Sequence, residues 1–408
     1  MALVVQKFGG TSVADPERIR AVADHVARTR RKGDDVIVVV SAMGKETDEL
    51  IRLANDVSKT QPGRELDMLL TVGERKTTAL LCMALADLGV EAESFTGSQA
   101  GIITDTDHTR ARIVDVRPDR VRDCLAAGKV AVVAGFQGMS TDREITTFGR
   151  GGSDNTAVAL AYSLGGDSFE KYSDVPGIFS ADPRVVPDAK KLTVLSTEEM
   201  LEIAATGSGV LMFRAVEFAR NHGIRIHVRS SFSWEPGTWV VPEAELDMSM
   251  EQPIIAAVTH DTSEAKITVA RVPDKPGIAA RLFRTLADGN VNLDMIVQNV
   301  SHDGTTDISF TVPKTDLATA IAACESHSGE FGAAEVIADD GIGKVSLVGA
   351  GMKTHPGVSA KMFETLADND INIEMISTSP IRITCVVRAG QVEDAVQCLH
   401  KAFDLGSS

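Results

Sequence analysis

Two glycine-rich turns in this sequence carry the residue types that phosphate chemistry needs. The first, KFGGTS at residues 7–12, lies between a strand-like stretch and a helix whose start is marked by Asp15 and Pro16. Glycines let backbone N–H groups approach an anion closely, and a lysine adds a point charge for phosphate oxygens. By itself the turn is weak evidence, because many strand-to-helix glycines only shape a turn.

The second turn, TTFGRGGSD at residues 146–154, directly precedes the helical pattern NTAVALAYSL. Its glycines, arginine, serine and aspartate bring backbone donors, a guanidinium and a carboxylate to the N-terminus of a helix, where an anion binds favourably. The alternative is a flexible surface loop with a solvated Arg–Asp pair. We expect both turns to end strands of one sheet, which places a crevice at the carboxyl ends of those strands.

The elements that must position these turns alternate along residues 1–245. Short β-branched runs such as DVIVVV and KVAVVAGF are separated by helical patterns, an order that predicts parallel strands with crossover helices. A proline-rich segment, EPGTWVVPEAELDMSMEQP, then interrupts both periodicities. The fold class is therefore α/β, with a mainly parallel sheet between helix layers in a first domain of residues 1–245.

The remaining sequence contains an internal repeat. Residues 275–296 align with residues 355–376 at a constant offset of 80, and half of the aligned positions are identical. Each copy predicts a strand, a Pro-Gly turn, a helix and a further strand, which resembles the ACT domain, a sensor of amino acids. We assign residues 263–338 to one such α+β domain, and residues 249–262 together with 339–408 to the other.

Composition limits the partners of the chain. Its 408 residues carry a net charge of −16, which argues against a general nucleic-acid binder. Its five scattered cysteines contain no CxxC pair and predict no metal site, and they fit a reducing cytoplasm. No stretch has the roughly 18 apolar residues of a membrane span, so we expect neither a membrane partner nor export.

Several further motifs make the resemblance specific. KFGGTSV, SAMGKETDEL, LLTVGER, SFTGSQAG, VAGFQG, TTFGRGGSDNTA, YSDVPGIFSADPR and HVRSSF occur in this order. The chain resembles the aspartokinases of the amino-acid kinase superfamily along nearly its whole length, and in particular the monofunctional actinobacterial type. The resemblance implies transfer of the γ-phosphoryl group of ATP to L-aspartate, the first step of lysine, threonine and methionine biosynthesis. A carboxylate nucleophile with a pKa of about 4 needs no general base, so positioning and charge neutralisation remain as the catalytic work.

The resemblance also implies roles for individual residues. Lys7 with the amides of Gly9 and Gly10 would stabilise the transferring phosphoryl group, and Asp154 would organise Lys7. Arg150 would bind the substrate α-carboxylate through its planar fork, and Glu74 would accept the α-ammonium group. The other implied contacts are to the substrate from Thr47, Phe136, Gly138 and Ser153, and to the nucleotide from Ser173, Asp174, Phe179 and Arg184.

Mg²⁺ would bridge the phosphates of ATP, held more by the nucleotide than by protein ligands. Alternatives stay open for four of the implied residues. Glu74 could be a surface charge, Phe136 and Phe179 could be core residues, and Arg184 after Asp-Pro could cap a turn.

Two positions depart from the family pattern on the nucleotide side. Gly209 stands where aspartokinases usually carry a lysine that reaches the nucleotide, and Lys171 stands where an apolar strand residue is usual. Loss of one charge-assisted contact weakens binding by roughly 1.5–3 kcal/mol, or about 10- to 150-fold. We therefore expect weaker ATP binding or an altered nucleotide preference, and whether Lys171 compensates depends on the fold.

The ACT pair implies binding of amino-acid effectors, lysine and/or threonine, and assembly as a homo-oligomer or α2β2. Pro380 replaces an acidic residue common in relatives, and turn chemistry is an alternative role for Asn292 and Asn372. Two other functions remain possible: a paralogous kinase for another carboxylate, and a catalytically weak amino-acid sensor. The implied effector contacts are Asp274, Gly277, Ile278, Ala279, Asn292, Gln298, His355, Gly357, Val358 and Asn372.

Overall fold

A computed structural model describes residues 2–149, 151–246, 254–299 and 304–406 of the chain. The contacts divide it into two units. The first contains Met1–Ile178, Lys191–Ala204 and Gly209–Met250, and the second contains Phe179–Lys190, Ala205–Ser208 and Glu251–Ser408. Two short segments from within the first 245 residues therefore fold with the repeat region.

The first unit has the alternating strands and helices that the sequence predicts. Its strands are β1 (Leu3–Phe8), β2 (Asp35–Val40), β3 (Ala92–Phe95), β4 (Ile102–Thr104), β5 (Ile113–Val116), β6 (Val130–Ala134), β7 (Gln137–Ser140), β8 (Ile145–Thr147), β9 (Ser168–Ser173), β10 (Val194–Ser196), β11 (Arg225–Ser230) and β12 (Thr238–Val241). Its helices are α1 (Pro16–Arg31), α2 (Glu46–Val57), α3 (Gly63–Leu70), α4 (Val72–Asp87), α5 (Asp119–Ala126), α6 (Gly152–Ser163), α7 (Thr197–Ala205) and α8 (Phe213–His222).

Eight of these strands form one central sheet in the order β10-β12-β11-β9-β1-β2-β6-β3. Every neighbouring pair is parallel except β11 with β12. The valines of β2 are fully buried, as expected for a parallel strand covered on both faces. The predicted fold class, a mainly parallel sheet between helix layers, is confirmed.

The expectation that both glycine turns end strands of one sheet was wrong. The first turn follows β1 of the central sheet, but the second follows β8, which belongs to a separate sheet of order β5-β4-β7-β8. Along the chain, the hairpin β7–β8 lies between central strand β6 and helix α6. Its strands are too short to show a clear alternation of apolar and polar residues in the sequence. Helix α6 nevertheless returns to the central sheet and packs against β1 and β9.

The face of the central sheet that carries α1 holds a buried aromatic and polar network. Phe8 stacks on Tyr172 with ring centroids 4.7 Å apart. The Tyr172 hydroxyl is 2.7 Å from His25 Nε2 on α1 and donates to Glu170 at 2.9 Å. Burial, with the nearby charge of Glu170, raises the pKa of Tyr172, so its hydroxyl stays protonated and fixes β9 against α1.

The second unit contains the repeat. Its strands are β13 (Ala257–Asp261), β14 (Glu264–Pro273), β15 (Ile296–Gln298), β16 (Thr305–Pro313), β17 (Glu335–Asp339), β18 (Ile342–Val348), β19 (Met375–Ser379) and β20 (Arg382–Arg388). Its helices are α9 (Ile278–Asp288), α10 (Leu317–Ser326), α11 (Ser328–Phe331), α12 (Val358–Asp368) and α13 (Val392–Ala402). They accompany two four-stranded sheets, β15-β16-β14-β17 and β13-β18-β20-β19.

The two copies of the repeat have matching local structure. Helices α9 and α12 both begin after a Pro-Gly turn, and Gly277 and Gly357 adopt left-handed φ angles of 94° and 100°. The buried apolar residues of α9 are Ile278, Leu282 and Leu286, at the spacing that predicts a helix packed on one face. The predicted order of strand, turn, helix and strand is confirmed in each copy.

Candidate active site

Two lysines stand side by side in the central sheet. Lys7 on β1 is the register partner of Lys171 on β9, so both side chains leave the same face of the sheet. Lys7 is 5% exposed and Lys171 is 8% exposed. Both ammonium groups therefore lie inside the first unit, near the carboxyl ends of their strands.

Asp154 lies between the two ammonium groups. Its Oδ1 is 2.7 Å from both Lys7 Nζ and Lys171 Nζ, and its Oδ2 is 2.6 Å from Lys171 Nζ. Burial opposes ionisation of Asp154, but the charges of Lys171 and Lys7 outweigh that effect and hold its pKa below the ordinary value. The alternative of a solvated surface aspartate is wrong, because Asp154 is fully buried.

The turn before α6 places Asp154 and requires glycine at two positions. Gly149 and Gly151 have φ angles of 77° and 73°, which side chains strain. A Cβ on Gly151 would also lie only 1.8 Å from Met212 Cγ. Because α6 begins at Gly152, Asp154 falls in its first turn, where the helix dipole favours a carboxylate.

The glycines after β1 lie close to this cluster and to the end of β2. A Cβ on Gly9 would be 3.9 Å from Lys7 Nζ, and a Cβ on Gly10 would be 3.0 Å from the carbonyl oxygens of Ala42 and Gly44. The Gly9 amide makes a long bond of 3.4 Å to the Tyr172 carbonyl oxygen. The turn therefore holds the backbone of Gly9 near Lys7.

A second buried carboxylate marks the other end of the site. Glu74 on α4 is 3% exposed, so the alternative of a surface charge is wrong. Its Oε1 accepts a hydrogen bond from the Ala42 amide at 3.1 Å, while its buried Oε2 has no partner among the described residues. Burial, with a smaller contribution from Glu46, raises the pKa of Glu74 to about 7.

The SAMG segment after β2 connects the two ends of the site. The Ser41 hydroxyl donates to Ser153 Oγ at 3.0 Å, and Ser153 is the neighbour of Asp154 on α6. The next residue, Ala42, holds Glu74. The cationic cluster can therefore neutralise a phosphoryl group, and the unpaired oxygen of Glu74 can accept an ammonium group.

Comparisons with known proteins agree with this chemistry. The amino acid kinase family model matches residues 2–230, and an ACT domain model matches residues 266–327 and 345–403. The aspartokinase of Mycobacterium tuberculosis (strain ATCC 25618 / H37Rv) is 55% identical over 409 residues, which cover 100% of this chain and 97% of that protein. The chain belongs to the aspartokinases. As a member of this family it is an aspartate kinase, and its ACT domains imply allosteric regulation.

Solved aspartokinase structures share the fold over nearly the whole chain. Escherichia coli aspartokinase III in complex with aspartate and ADP, in the R-state, superposes with a TM-score of 0.85 at 25% identity, covering 98% of this chain and 99% of that one. The same enzyme in complex with lysine and aspartate, in the T-state, gives a TM-score of 0.75 at 26% identity, with coverages of 98% and 99%.

The other predicted aspartate contacts lie on several elements of the first unit. Thr47 is in the first turn of α2, and Gly138 is in β7. Phe136, between β6 and β7, is buried with a φ of 70°, and its amide donates to Thr156 Oγ1 of α6 at 3.2 Å. Phe136 therefore also packs as a core residue. Arg150 lies outside the described residues.

The predicted nucleotide contacts divide between the two units. Ser173 is the last residue of β9 and Asp174 follows it, and the Ser173 hydroxyl donates to Asp174 Oδ1 at 3.0 Å. Phe179 and Arg184 belong to the second unit, where Phe179 packs against the apolar core. Arg184 Nη2 lies 2.6 Å from Asp182 Oδ2, and the backbone amide of Arg184 donates a hydrogen bond to Asp182 Oδ1. Their nucleotide role stays a prediction.

Most residues of the first predicted effector site share one pocket. Its lining includes Asp274, Gly277, Ile278, Ala279 and Gln298, with Lys275 and Thr306 among the additional members. Of the second set, His355 Nδ1 lies 2.8 Å from the Gly351 carbonyl oxygen. Gly357 directly precedes α12, Val358 begins it, and Asn372 follows that helix.

Asn292 is not in the lining of the first pocket. Asn290 and Asp370, which lie two positions before Asn292 and Asn372, have positive φ angles of 56° and 55°.

The structure adds site residues that sequence motifs did not identify as such. From the sequence, Lys171 is a departure from the family pattern on the nucleotide side, and whether it compensates for Gly209 depends on the fold. A lysine inside the strand sequence FEKYS indicates a buried partner, but it does not indicate which residue that partner is. No motif in the sequence singles out Asp67. It is fully buried, and it accepts hydrogen bonds from the Thr109 amide at 3.1 Å and from Thr147 Oγ1 at 2.6 Å.

Among the described residues, no group of three or more His, Cys, Asp or Glu side chains could hold a metal ion. Within the same parts of the chain, no helix is both long and apolar enough to cross a membrane.

Proposed function

We propose that this aspartokinase transfers the γ-phosphoryl group of ATP to the side-chain carboxylate of L-aspartate between two buried charge sites. The observation that carries the proposal is the buried cluster of Lys7, Asp154 and Lys171, which is linked through Ser41 and Ala42 to Glu74. Ala42 bonds Oε1 of Glu74, and Oε2 of the same carboxylate is unpaired among the described residues. One end suits an anionic phosphoryl group, and the other suits the ammonium group of an amino acid. The R-state relative binds aspartate and ADP.

In the proposed reaction, a carboxylate oxygen of aspartate attacks the γ-phosphorus while the bond to the bridging oxygen of ADP breaks. The nucleophile is already ionised near neutral pH, so no side chain needs to remove a proton. Lys7, held by Asp154, neutralises charge on the transferring group, and the Gly9 and Gly10 backbone lies beside it. Catalysis then consists of positioning and electrostatic stabilisation.

Recognition of aspartate is proposed to use both its ammonium and its α-carboxylate. Glu74 accepts the ammonium group, which restores a full charge to a carboxylate whose pKa is raised by burial. Arg150 binds the α-carboxylate through two parallel hydrogen bonds. Thr47, Phe136, Gly138 and Ser153 shape the remainder of the pocket.

The proposed nucleotide is ATP with Mg²⁺, and the proposed nucleotide contacts are Ser173, Asp174, Phe179 and Arg184. Both oxygens of Asp154 already contact lysines. No described group of carboxylates, cysteines and histidines could hold a metal alone. The described residues therefore fit a Mg²⁺ ion that is held mainly by the phosphates of ATP.

Regulation is proposed to act through lysine and/or threonine at the pocket of residues 273–279, Gln298 and Thr306. An α-amino acid offers an ammonium and a carboxylate, and this pocket contains Asp274 and Lys275, one residue of each charge. The T-state relative is in complex with lysine.

We further propose a cytoplasmic enzyme that assembles as a homo-oligomer or α2β2 through its ACT domains.

A coupled assay of ADP release tests the function directly. We expect turnover with ATP, Mg²⁺ and L-aspartate, and at least 100-fold lower kcat/KM with D-aspartate, L-glutamate or succinate. A paralogous kinase would prefer one of the analogues. A pure sensor would bind lysine or threonine in calorimetry but release no ADP above the rate without amino acid, and that outcome would refute the proposal.

A further inference from the structure

Lys171 occupies an unusual place for a charged residue. Its register partners on the neighbouring strands are Lys7 on β1 and Val228 on β11, and Lys7 in turn is the partner of Val39 on β2. Val39 and Val228 are fully buried. The two lysines are therefore the only charged members of this row of four residues, and an apolar residue at 171 would continue it.

Neutralising Asp154 does not require Lys171. Lys7 already contacts Asp154 Oδ1 at 2.7 Å, so one lysine and one carboxylate would make a complete buried ion pair. The second lysine leaves the cluster with one excess positive charge. Burial, together with repulsion from Lys7, lowers the pKa of Lys171 despite its contact with Asp154. A buried excess charge destabilises a fold unless a partner arrives.

The proposed reaction brings an anion to this site. The γ-phosphoryl group of ATP carries negative charge on its non-bridging oxygens, and the charge shifts toward the bridging oxygen as the bond to ADP breaks. An ammonium group with three donors can keep its bond to Asp154 and still donate to a phosphoryl oxygen. Lys171 thus has both the charge and the free hydrogen-bonding capacity for this contact.

We propose that Lys171 is a second catalytic cation, whose Nζ contacts the transferring phosphoryl group together with Lys7 while Asp154 holds both ammonium groups. This inference rests on the proposed aspartate kinase reaction. The new bond joins the aspartate carboxylate oxygen to phosphorus, the bond to the ADP oxygen breaks, and Lys171 keeps its proton throughout. It stabilises the charge of the transition state through hydrogen bonds.

The proposal also accounts for the glycine at position 209. The sequence lacks a lysine there, and Gly209 is exposed, with no atom within 4 Å of a Cβ placed on it. A cation supplied from β9 makes a lysine at 209 unnecessary. Tyr172, the next residue on β9, is fixed on the opposite face by His25 and Glu170, so the backbone that carries Lys171 is held in place.

The decisive experiment compares Lys171→Met with the parent enzyme. Methionine fills the site without charge, and Lys7 remains to pair with Asp154. We expect kcat to fall roughly 100- to 1,000-fold, the effect of removing one donor to a developing charge, while the KM for aspartate changes less than threefold. Lys59→Met, at an exposed position, is the matched control and should leave both values unchanged.

Thermal unfolding of the same variants separates catalysis from structure. Because Lys171→Met removes a buried excess charge, we expect its Tm to equal or exceed that of the parent. A folded variant whose kcat stays within threefold of the parent overturns the proposal. If the parent itself releases no ADP with aspartate, the proposed function fails instead, and the two failures are therefore distinct.

Lys171→Arg gives a second, independent test that does not depend on the methionine variant folding. An arginine keeps its charge at all accessible pH values, whereas burial and the charge of Lys7 lower the pKa of Lys171 below the ordinary lysine value. We expect the alkaline fall of kcat in the parent to move to higher pH in Lys171→Arg. An alkaline limb with the same midpoint in both enzymes overturns the proposal.

Discussion

Glu74 shows how a single buried side chain can set the pH range of substrate binding. Its Oε1 accepts one hydrogen bond from the backbone amide of Ala42, and its Oε2 has no partner among the described residues. Burial raises its pKa to about 7, so the free site is half protonated near neutral pH. Only the ionised form can accept the ammonium group of aspartate in a charged hydrogen bond.

The first prediction concerns this titration. As the pH falls from 8 to 6, the ionised fraction of Glu74 falls about tenfold, so the aspartate KM of the parent should rise roughly tenfold. In Glu74→Gln the aspartate KM should be about 10- to 150-fold higher at pH 8 and should lack this acidic rise. Steady-state kinetics across pH measure both.

The control for this prediction is Glu91→Gln, because Glu91 is an exposed carboxylate. It should keep the KM and the pH profile of the parent. An acidic rise that persists unchanged in Glu74→Gln would assign the titration to another group and would contradict the role given to Glu74.

Gly209 provides a second prediction at the scale of the residue. From the sequence, its missing lysine predicts weak ATP binding, but the structure places Lys171 beside Asp154. If Lys171 already supplies the cation, Gly209→Lys should change the ATP KM by less than about threefold, well under the effect of one charge-assisted contact. Kinetics with ATP varied at saturating aspartate measure this. A decrease of tenfold or more would instead support the expectation from sequence.

A site residue can be predicted from the sequence when a local motif positions it, and not when the pairing of distant strands positions it. Lys7 lies near the end of β1, just before the first glycine turn, and Asp154 lies in the first turn of α6, just after the second. Both belong to motifs that the sequence displays, and they meet at 2.7 Å. Lys171 joins them only because β9 pairs with β1, although the two strands are far apart in the chain. The pairing of distant parallel strands is a property of the topology, so no local pattern could have indicated this contact.

At the scale of the element, Asp67 fixes the strand that leads into the second glycine turn. It lies on α3 and accepts hydrogen bonds from Thr147 at the end of β8 and from the Thr109 amide, and its Oδ2 is 2.7 Å from His108 Nδ1. Arg214 of α8 adds a hydrogen bond to the Phe148 carbonyl oxygen at 3.2 Å. These contacts fix the strand end immediately before Gly149.

The third prediction is that Asp67→Asn destabilises the protein and impairs aspartate binding together. The amide group cannot accept from both the Thr109 amide and His108 as the carboxylate does, and we expect a loss of about 1–3 kcal/mol in the free energy of unfolding. The aspartate KM should rise severalfold because the turn before α6 loses its support. Denaturant unfolding and kinetics measure the two effects. Asp142→Asn, at an exposed position, should show neither.

The same region shows why some elements escape prediction. The long helices α1 and α4 and the valine-rich β2 follow clear periodicities, and Asp15 caps α1 by accepting from the Arg18 amide as expected. Strands β4, β5, β7 and β8 are three or four residues long. Such strands contain too few positions to show alternation, so the separate sheet they form was not predicted.

At the scale of the whole molecule, residues 179–190 are the unexpected feature. They include Phe179 and Arg184, two of the predicted nucleotide contacts, and they fold with the second unit. Ala181, Val186 and Ala189 lie in the same buried cluster as Val258 and Leu399. If Phe179 and Arg184 bind nucleotide as proposed, a rearrangement of the second unit would act on them through their own packing, and such a rearrangement could couple effector binding to nucleotide binding.

Ser180 is the polar anchor of this segment. It is almost completely buried, and its hydroxyl lies 2.9 Å from His400 Nε2, donates to the Leu405 carbonyl oxygen at 3.0 Å and accepts from the Lys190 amide at 2.8 Å. Removing the hydroxyl leaves buried groups without partners, which destabilises by about 1–3 kcal/mol.

The last prediction is that Ser180→Ala weakens feedback inhibition more than catalysis. The concentration of lysine or threonine that half-inhibits the parent should rise at least threefold, because part of the coupling between effector and nucleotide is lost, while kcat without effector stays within twofold. The matched control is Ser196→Ala, which removes a buried hydroxyl bonded to Glu199 in the first unit. It should lower stability by a similar amount but leave inhibition intact. If the same effector concentration half-inhibits Ser180→Ala and Ser196→Ala, residues 179–190 do not transmit the effector signal.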